Sequence, residues 1–576
     1  MKYIMKIWCF AITVSLLASC TDLDETLYDQ VDSSNFYNTR EDVERAIVRP
    51  FEHCYHLLQA RHFLQELPAD QIITPSRDGW WDDAGKWRRF HYHTWTAEDV
   101  DYLSFLWDKS FMGIEQCNSV IEDLARLDFN KFGFTKAEFD NYTAQCRVLR
   151  AFFYITLLDG FRHCPLVVSF NDQSKNTENQ VEPRVIYDYI EKELKETIEL
   201  LDVKESLGTQ PQYQGMWTKA GAAALLARLY LNSGVYIGEE HYSDCAKLCQ
   251  DIIEGKYGAY KVADRWDAAF DWNNETCDEV IFGFPGSPGY SYWHYHANTY
   301  WWTVPVNASL YLKDQKCKAG AHNTKYAASP SYDLNGKLYD YELGMPIQNF
   351  RKYPGDERMK LYKNLGNGKR EGMFLFGYLE YQDENGKTKK VRAPERDYDL
   401  YIRDAVGNFQ GLAPDYWPTN KKSSLTTGDH NSGWHYVKYP MYSDDDVHQL
   451  ESDYTEIRLP EIIYMLAECK LRSGDTPRAA SLLNSVRRRN YPVENYAEVL
   501  YEPEGKAKLD LKEMLDEWGR EFFAETRRRT DLIRFGKFST GTWWDKTPDN
   551  DNHTEIFPIP RPALDANPKL VQNPGY

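Results

Sequence analysis

Long apolar runs are scarce in this sequence, and basic residues are too few to balance the acidic ones. Beyond the first 20 residues, no stretch is long and apolar enough to span a bilayer. The 68 lysines and arginines face 87 aspartates and glutamates, which gives a formal net charge of −19. Because phosphate recognition needs clustered positive charge, no nucleic-acid partner is expected. The arginine run 527–529 does not change this, since Glu521, Glu525 and Asp531 accompany it and indicate a solvated or salt-bridged helix face.

Catalytic and metal-binding signatures are also missing. The chain has no G-x-S-x-G, no H-E-x-x-H and no glycine-rich phosphate loop. Eleven cysteines show no disulfide-like spacing, and Cys245 with Cys249 would need two more ligands to hold zinc, so buried free thiols are expected. A surface glycoside hydrolase stays open as an alternative, because its two carboxylates cannot be picked out among so many acidic residues.

Aromatic residues are abundant instead, at 15% of the chain, with 41 tyrosines and 17 tryptophans. Most of them are expected to fill a core. Tyrosine and tryptophan also offer a flat apolar face with a polar edge, which suits a surface that binds polar, ring-shaped ligands.

The first 34 residues read as an export and anchoring segment. Basic residues precede the apolar run 7–17, and small residues lead directly to Cys20. This pattern predicts a signal peptide at 1–19 rather than a membrane span. It is similar to the bacterial lipobox, which makes Cys20 the predicted lipidated residue and 20–34 a tether for a body outside the bilayer.

Apolar residues at helical spacing predict helical blocks at 35–256 and 454–576. The clearest unit is Thr455–Arg489, which reads as two helices folded back across the turn 473–475. Its size of roughly 34 residues is that of a tetratricopeptide unit, and such units need neighbours to cover them. A second hairpin is predicted at 217–254. A scaffold that only binds other proteins is therefore another open alternative.

Helical periodicity is absent from about 257 to 453, where glycine, proline, tyrosine, tryptophan and aspartate are frequent. Short runs such as 279–284 and 372–381 predict strands. The aromatic content argues against disorder over this length. We interpret 257–453 as a loop-rich, irregular subdomain inserted between the helical blocks.

Several stretches, in this order, resemble the SusD/RagB family of outer-membrane nutrient-binding lipoproteins. The similarity covers nearly the whole chain. The matching stretches are the lipobox at Cys20, NFYNTREDVERAI, VLRAFFYITLLDGFRHCPLV, TKAGAAALLARLYLNSGVY, NNETCDEVIFGF, RLPEIIYMLAECKLRSGDTPRAASLLNSVRRR, EWGREFFAETRRRTDLIRFGKF and FPIPRPALDANPKLVQNPGY. Pro460 departs from the family pattern and leaves the start of the helix near 455–460 open.

The resemblance implies an all-α scaffold of four tetratricopeptide-like pairs decorated by loops. It also implies a non-catalytic protein that faces the cell exterior from the outer membrane. Such a protein captures an oligosaccharide or polysaccharide, or another oligomeric nutrient, and passes it to a TonB-dependent, SusC-like transporter.

Two tryptophan-rich loops have the composition of a carbohydrate site, which needs aromatic platforms beside hydrogen-bonding side chains. The resemblance implies that ligand binds through aromatic residues in loops at comparable positions. Because these loops carry no fixed motif, it indicates regions rather than individual residues. The predicted ligand contacts are Arg77, Trp80, Trp81, Asp82 and Trp87 in the first loop, and Trp293, Asn298, Tyr300, Trp301 and Trp302 in the second. Trp417 and Trp434 are weaker candidates, because loop tryptophans often serve to pin a loop down by burial.

Two His-Tyr-His motifs accompany these loops, at His91 with His93 and at His294 with His296. If extended, each pair points to one side of a strand, which would suit zinc or a ligand hydrogen bond. Histidines satisfied by packing are the main expectation. The acidic runs 444–446 and 382–386 match no recognised calcium loop, so a structural calcium ion stays open and no other cofactor is predicted.

Overall fold

The computed structural model describes residues 36–207, 215–271, 273–286, 302–313, 324–366, 369–418, 422–439 and 452–576. Most regular structure in these ranges is α-helix, which confirms the all-α prediction. The predicted signal peptide, Cys20 and the tether lie outside the described residues. Among the described residues, no helix has the length and apolar content needed to cross a membrane.

The helices of these ranges are numbered in chain order. They are α1 (Arg40–Glu66), α2 (Lys86–His91), α3 (Val100–Arg126), α4 (Lys136–Phe161), α5 (Pro183–Ile198), α6 (Lys204–Leu207), α7 (Lys219–Leu231), α8 (Ser233–Ile237), α9 (Tyr242–Ile253), α10 (Ser309–Lys313), α11 (Pro346–Arg351), α12 (Leu459–Arg472), α13 (Thr476–Arg487), α14 (Tyr496–Val499), α15 (Leu511–Glu521), α16 (Arg528–Arg534) and α17 (Arg561–Ala566).

The strands are short and form two-stranded antiparallel sheets. They are β1 (Ile72–Ile73), β2 (Val280–Phe284), β3 (Ala327–Ala328), β4 (Lys363–Gly366), β5 (Lys369–Glu371), β6 (Phe374–Leu375), β7 (Gly377–Tyr378), β8 (Glu380–Gln382), β9 (Thr388–Lys390), β10 (Tyr401–Ile402), β11 (His435–Tyr436) and β12 (Tyr454–Arg458). The pairs are β1 with β3, β2 with β12, β4 with β5, β6 with β11, β7 with β10 and β8 with β9.

Capping chemistry read from the sequence explains where the first helices begin. The Thr39 hydroxyl accepts from the Asp42 amide, and the Asp42 carboxylate accepts from the Thr39 amide at 2.9 Å. Thr135 and Glu138 repeat the same reciprocal arrangement at the start of α4. Each box satisfies two amides that a helix leaves without intrahelical partners.

Eight of the helices pack in series as four antiparallel pairs within the described residues. The pairs are α1 with α3, α4 with α5, α7 with α9, and α12 with α13, and each pair contacts the next through α3 with α4, α5 with α7, and α9 with α12. Since each unit covers its neighbour, most of the apolar stripes join one large core, and parts of α1, α3 and α4 form a smaller, separate cluster. Both hairpins predicted from the sequence are present in this series.

The hairpin predicted from Thr455 begins later than expected. Residues 454–458 form strand β12, and α12 starts at Leu459 with Pro460 in its first turn. A first-turn proline loses no intrahelical hydrogen bond, so it does not kink the helix. The next helix is capped by Asp475, whose carboxylate accepts from the Arg478 amide at 3.2 Å.

Between Ile253 and Leu459, the described residues contain no helix longer than the six residues of α11. Strand β2 attaches this stretch to the second helical block by pairing with β12. The Trp217 ring attaches it to the first block by stacking on Phe282 with centroids 3.6 Å apart. The boundaries at 257 and 453 stay predictions.

A buried network of ion pairs joins the inserted stretch to the C-terminal block. Glu521 accepts from Arg458 at 2.8 Å, from Arg489 at 2.7 Å and from Arg358, which belongs to the inserted stretch, at 3.3 Å. The arginine run 527–529 is also ion-paired, as predicted. Its pairs lie in the interior rather than on a solvated face, because Arg528 and its partner Asp70 are both buried.

The cysteines among the described residues are free, in agreement with the prediction. Cys245 and Cys249 are fully buried, with their sulfur atoms 4.0 Å apart on one face of α9. Burial raises the pKa of the Cys249 thiol, which favours an inert, protonated group.

Candidate functional site

Pairing of β1 with β3 brings the two tryptophan-rich stretches together. Ile72 lies opposite Ala328 and Ile73 opposite Ala327. The chain leaves β1 directly into the first loop, and it enters β3 from a segment whose Lys325 and Tyr326 amides donate to the Trp302 carbonyl at 2.9 and 2.8 Å. Two strands of two residues therefore place loops that are far apart in sequence side by side.

The first loop turns sharply just before its tryptophans. The amides and carbonyls of Arg77 and Trp80 exchange two hydrogen bonds of 2.9 Å, with Asp78 at φ +52° and Gly79 at φ +93° between them. Positive φ at both central residues is typical of a type I′ turn. Trp81 also has a positive φ, of +62°, and a non-glycine residue in this region costs about 1–3 kcal/mol. The turn sends Trp80 and Trp81 towards different partners.

Trp81 and Trp302 form a pair that we call the tryptophan platform. Their ring centroids are 6.2 Å apart, with the ring planes tilted by 51°. Both side chains are partly exposed. The platform therefore combines one member from each of the two predicted clusters and presents apolar ring surface to solvent.

Trp80 belongs to a turn that also borders a polar cleft. Its ring meets His430 edge to face at 5.2 Å. The cleft has a volume of about 470 Å³ and shares the turn 77–80. It is lined by Ser76, Asp78, Gly79, Leu334, Asn408, Lys422, Thr426, Thr427 and Gly428. Its amide, ammonium and hydroxyl groups provide hydrogen-bonding partners that sequence reasoning missed, because they lie on loops without a recognisable motif.

Arg77 lies beneath this surface and not on it. The side chain is fully buried, and its guanidinium donates to the main-chain carbonyls of Asp429, at 3.1 Å, and Ser432. Burial lowers the pKa of Arg77 to about 9. The prediction that Arg77 contacts a ligand at the surface is therefore not supported. The buried side chain instead connects the first loop to the loop that contains Asp429 and Ser432.

Trp87 also lies below the platform, with 5% of its surface exposed. Its ring packs on Phe63 at 5.3 Å, and its indole N–H donates to the Asp83 carboxylate. Asp82, by contrast, is exposed at the rim and forms an ion pair with Arg88. Of the candidates described in the first loop, Trp80, Trp81 and Asp82 reach the surface.

A second, smaller cavity lies inside the helical block and has a volume of about 110 Å³. Charged side chains line much of it, and they neutralise one another. Arg61 pairs with Glu456 at 2.8 Å, and Arg228 pairs with Glu461 at 2.6 Å. Since these charges are already paired, the tryptophan platform and its cleft are the better candidate site.

The model of the SusD family matches residues 279–576, which is more than half of the chain. The chain belongs to the SusD family. Residues 26–231 match a second family model, described as starch-binding and associating with the outer membrane. This description agrees with the predicted location at the outer membrane.

Named relatives of this SusD-family chain include glycan-binding proteins. The starch-binding protein SusD of Bacteroides thetaiotaomicron is 26% identical over 488 residues, which cover 77% of this chain and 74% of that protein. A laminarin-binding SusD-like protein has the same fold, with a TM-score of 0.63, 18% identity and coverage of 94% of this chain and 100% of the other. A SusD homologue from B. thetaiotaomicron gives a TM-score of 0.67 at 17% identity, over 94% and 98% of the two chains.

The remaining predicted contacts fall outside the described residues. These are Trp293, Asn298, Tyr300 and Trp301, together with the second His-Tyr-His motif at His294 and His296. They stay predictions.

The first His-Tyr-His motif is packed in the interior of this SusD-family fold. His91 ends helix α2 and His93 has φ +55°, so the pair does not lie along a strand. His93 contacts the Asp549 carboxylate and the Pro68 carbonyl, both at 2.7 Å. His91 contacts the Trp544 carbonyl at 3.1 Å. Both histidines are packed in the interior as expected. His93 has partners for both ring nitrogens, whereas the Nδ1 atom of His91 has no hydrogen-bond partner among the described residues.

His91 is expected to make the protein less stable in mild acid. Burial lowers its pKa from 6.5 to about 3, so between these values the unfolded chain binds a proton that the folded chain does not. As the pH is lowered from 6.5 to 5, the free energy of unfolding should therefore decrease by about 2 kcal/mol because of His91. A His91→Gln variant can still donate to the Trp544 carbonyl. Urea unfolding at pH 7 and at pH 5 should show that its stability decreases by about 2 kcal/mol less than that of the wild type. Equal losses for both proteins would contradict the assignment.

The two weaker tryptophan candidates take part in packing. Trp434 has 6% of its surface exposed and stacks on Phe376 with centroids 4.1 Å apart. Trp417 is partly buried and packs near Tyr332, with centroids 6.2 Å apart. Both fit the expectation that loop tryptophans fix loops by burial.

Among the described residues, no three histidine, cysteine, aspartate or glutamate side chains come together as metal ligands. In the turn 382–386, the Asp383 carboxylate accepts from the Asn385 and Lys387 amides at 2.9 Å each, as a hairpin turn requires. The acidic run 444–446 lies outside the described residues, and the calcium prediction is untested.

Proposed function

We propose that this protein binds a polysaccharide or oligosaccharide on the tryptophan platform and Trp80, without cleaving it. The observation that carries the proposal is that Trp81 and Trp302, from two separate loops, meet as a partly exposed pair. The turn just before Trp81 also borders a polar cleft, through Asp78 and Gly79. The named relatives that bind starch and laminarin support the same ligand class.

The geometry matches the chemistry of a sugar ring. A pyranose has an apolar C–H face, which packs on an indole, and a rim of hydroxyls, which need hydrogen bonds. Trp81 and Trp302 supply the apolar faces. Asp82 follows Trp81 directly in the chain and is exposed, and Asn408 and Lys422 line the cleft that the turn 77–80 borders, so carboxylate, amide and ammonium groups are available as acceptors and donors.

Affinity electrophoresis through gels that contain different polysaccharides tests this proposal. The protein should be retarded by at least one glycan and not by a gel without glycan. Incubation with the retarding glycan, followed by product analysis, should show chains of unchanged length. Shortened chains would favour the glycoside hydrolase alternative. No retardation by any glycan would favour a protein-interaction scaffold or a binder of another nutrient.

We further propose that a lipid on Cys20 anchors the protein at the cell exterior, where it delivers its ligand to a TonB-dependent, SusC-like transporter. The lipobox-like sequence before Cys20 and the outer-membrane description of the family support this proposal. Metabolic labelling with a radioactive fatty acid should mark the wild type and not Cys20→Ala. Crosslinking in cells should recover the transporter with the wild type. If the Cys20→Ala variant were labelled, the proposed lipidation site would be wrong. If crosslinking recovered the wild-type protein without any transporter, the proposed delivery to a transporter would be contradicted.

A further inference from the structure

Lys325 is a fully buried lysine whose ammonium group finds no hydrogen-bond acceptor among the described residues. Most buried cations in the described ranges behave differently. Lys438, for example, pairs with Glu525 at 2.7 Å. For Lys325, no carboxylate of the described residues lies within salt-bridge distance. A buried charge without a paired partner destabilises a fold, so its presence calls for a reason.

Aromatic rings take the place of the missing acceptor. The ammonium lies 3.3 Å from the ring centroid of Trp302 and 3.5 Å from that of Trp87. Trp81 and Tyr326 follow at 5.3 and 5.2 Å. Lys325 thus contacts both members of the tryptophan platform and the buried indole below them. All four distances are within the range of cation–π attraction.

The main chain fixes this lysine at the junction of the two loops. Its amide donates to the Trp302 carbonyl at 2.9 Å, and β3 begins two residues later. Its side chain then reaches across to Trp81 and Trp87 of the other loop. The residue therefore links the two loops through its backbone and its side chain.

Few charges near Lys325 compete with the rings. Burial and Lys86 lower the pKa of Lys325, and Asp83 raises it. The faces of the four surrounding rings favour the charged ammonium and so act against the effect of burial. The Asp83 carboxylate already accepts from the Trp87 indole, and Lys86 pairs with Asp101. His62 is also near, and burial lowers its pKa to about 3, so it adds no charge at neutral pH.

We propose that Lys325 is a positioning residue that holds Trp81 and Trp302 in the geometry that binds the sugar. This inference rests on the proposed function. Attraction between a cation and a ring acts through the ring face, so the ammonium fixes ring orientation as well as distance. Rings held in the bound geometry before the ligand arrives lose less entropy on binding.

The test compares wild-type protein with Lys325→Met, which keeps an unbranched side chain of similar length but no charge. Glycan binding should weaken about tenfold, because the platform is no longer held in place. The Tm should change little, since the variant loses the cation–π contacts together with the cost of burying a charge. Tryptophan emission should shift as the indoles lose the adjacent charge. Lys192→Met, at an exposed position on α5, serves as the matched control and should change none of these.

Lys325→Arg provides the conservative comparison, because a guanidinium keeps the cation–π contacts. It should bind glycan more tightly than Lys325→Met. The proposal would be overturned if Lys325→Met bound glycan with wild-type affinity. It would also be overturned if Lys325→Met lost glycan binding and its Tm fell as well. If the wild type binds no glycan, the proposed function fails, whereas the emission comparison still tests the positioning: an unchanged spectrum in Lys325→Met would refute it.

Discussion

Replacing Trp81 with alanine should remove most of the glycan retardation seen with the wild-type protein. Trp81 provides a partly exposed ring that is paired with Trp302 in the tryptophan platform. Central aromatic residues of this kind contribute about 2 kcal/mol or more to binding, which is about a 30-fold loss of affinity. Affinity electrophoresis, followed by calorimetry with an oligosaccharide of the retarding glycan, measures the change.

The matched control is Phe170→Ala, which removes an aromatic ring that is 48% exposed at a distant loop. It should leave retardation unchanged. Thermal unfolding of the Trp81→Ala protein should show a folded protein, because the side chain is only partly buried. Wild-type affinity in Trp81→Ala would contradict the assignment of the site.

Replacing Glu521 with alanine should produce the largest loss of stability among these variants. Its carboxylate, 5% exposed, is shared by Arg358, Arg458 and Arg489. Removing it leaves buried guanidinium groups without that partner, which typically costs about 3–5 kcal/mol. The inserted stretch should loosen with the rest of the fold, since Arg358 belongs to it.

Urea unfolding followed by circular dichroism measures this effect. Glu504→Ala is the matched control, because Glu504 pairs with Arg488 at a position where both side chains are substantially exposed. That substitution should cost less than about 1 kcal/mol. Similar losses for the two variants would show that the Glu521 network does not hold the inserted stretch in place.

The helical part of the fold could be predicted because its signals are local. The Thr39 capping box and the apolar stripe of α12 are properties of neighbouring residues, and the structure confirms both helices. Where a local signal was ambiguous, tertiary structure decided. Residues 454–458 form a strand because β2, far away in sequence, pairs with them.

The inserted stretch illustrates what a single sequence does not contain. Its strands have two to five residues, and several have distant partners, as when Ala328 pairs with Ile72. No periodicity develops over such lengths. The two tryptophan loops meet because of this pairing. The sequence therefore predicted which residue types the site contains, but it did not predict that Trp81 and Trp302 come together as a platform.

Exposure was the other unpredictable property. Trp80, Trp81 and Trp87 are similar as sequence candidates, yet the first two reach the surface and Trp87 lies beneath it. Arg77 is buried as well, because the turn it closes directs its side chain to carbonyl groups of another loop. Whether a loop tryptophan contacts a ligand or packs in the interior depends on the neighbouring loops, which composition does not determine.

We expect Trp81 and Trp302 together to form the surface that binds the glycan. A crystal structure of the protein with an oligosaccharide from the retarding polysaccharide tests this expectation. We expect a sugar ring within about 4 Å of both indole rings, with its hydroxyls turned towards the polar cleft. A sugar bound elsewhere, with both indoles uncovered, would contradict this expectation.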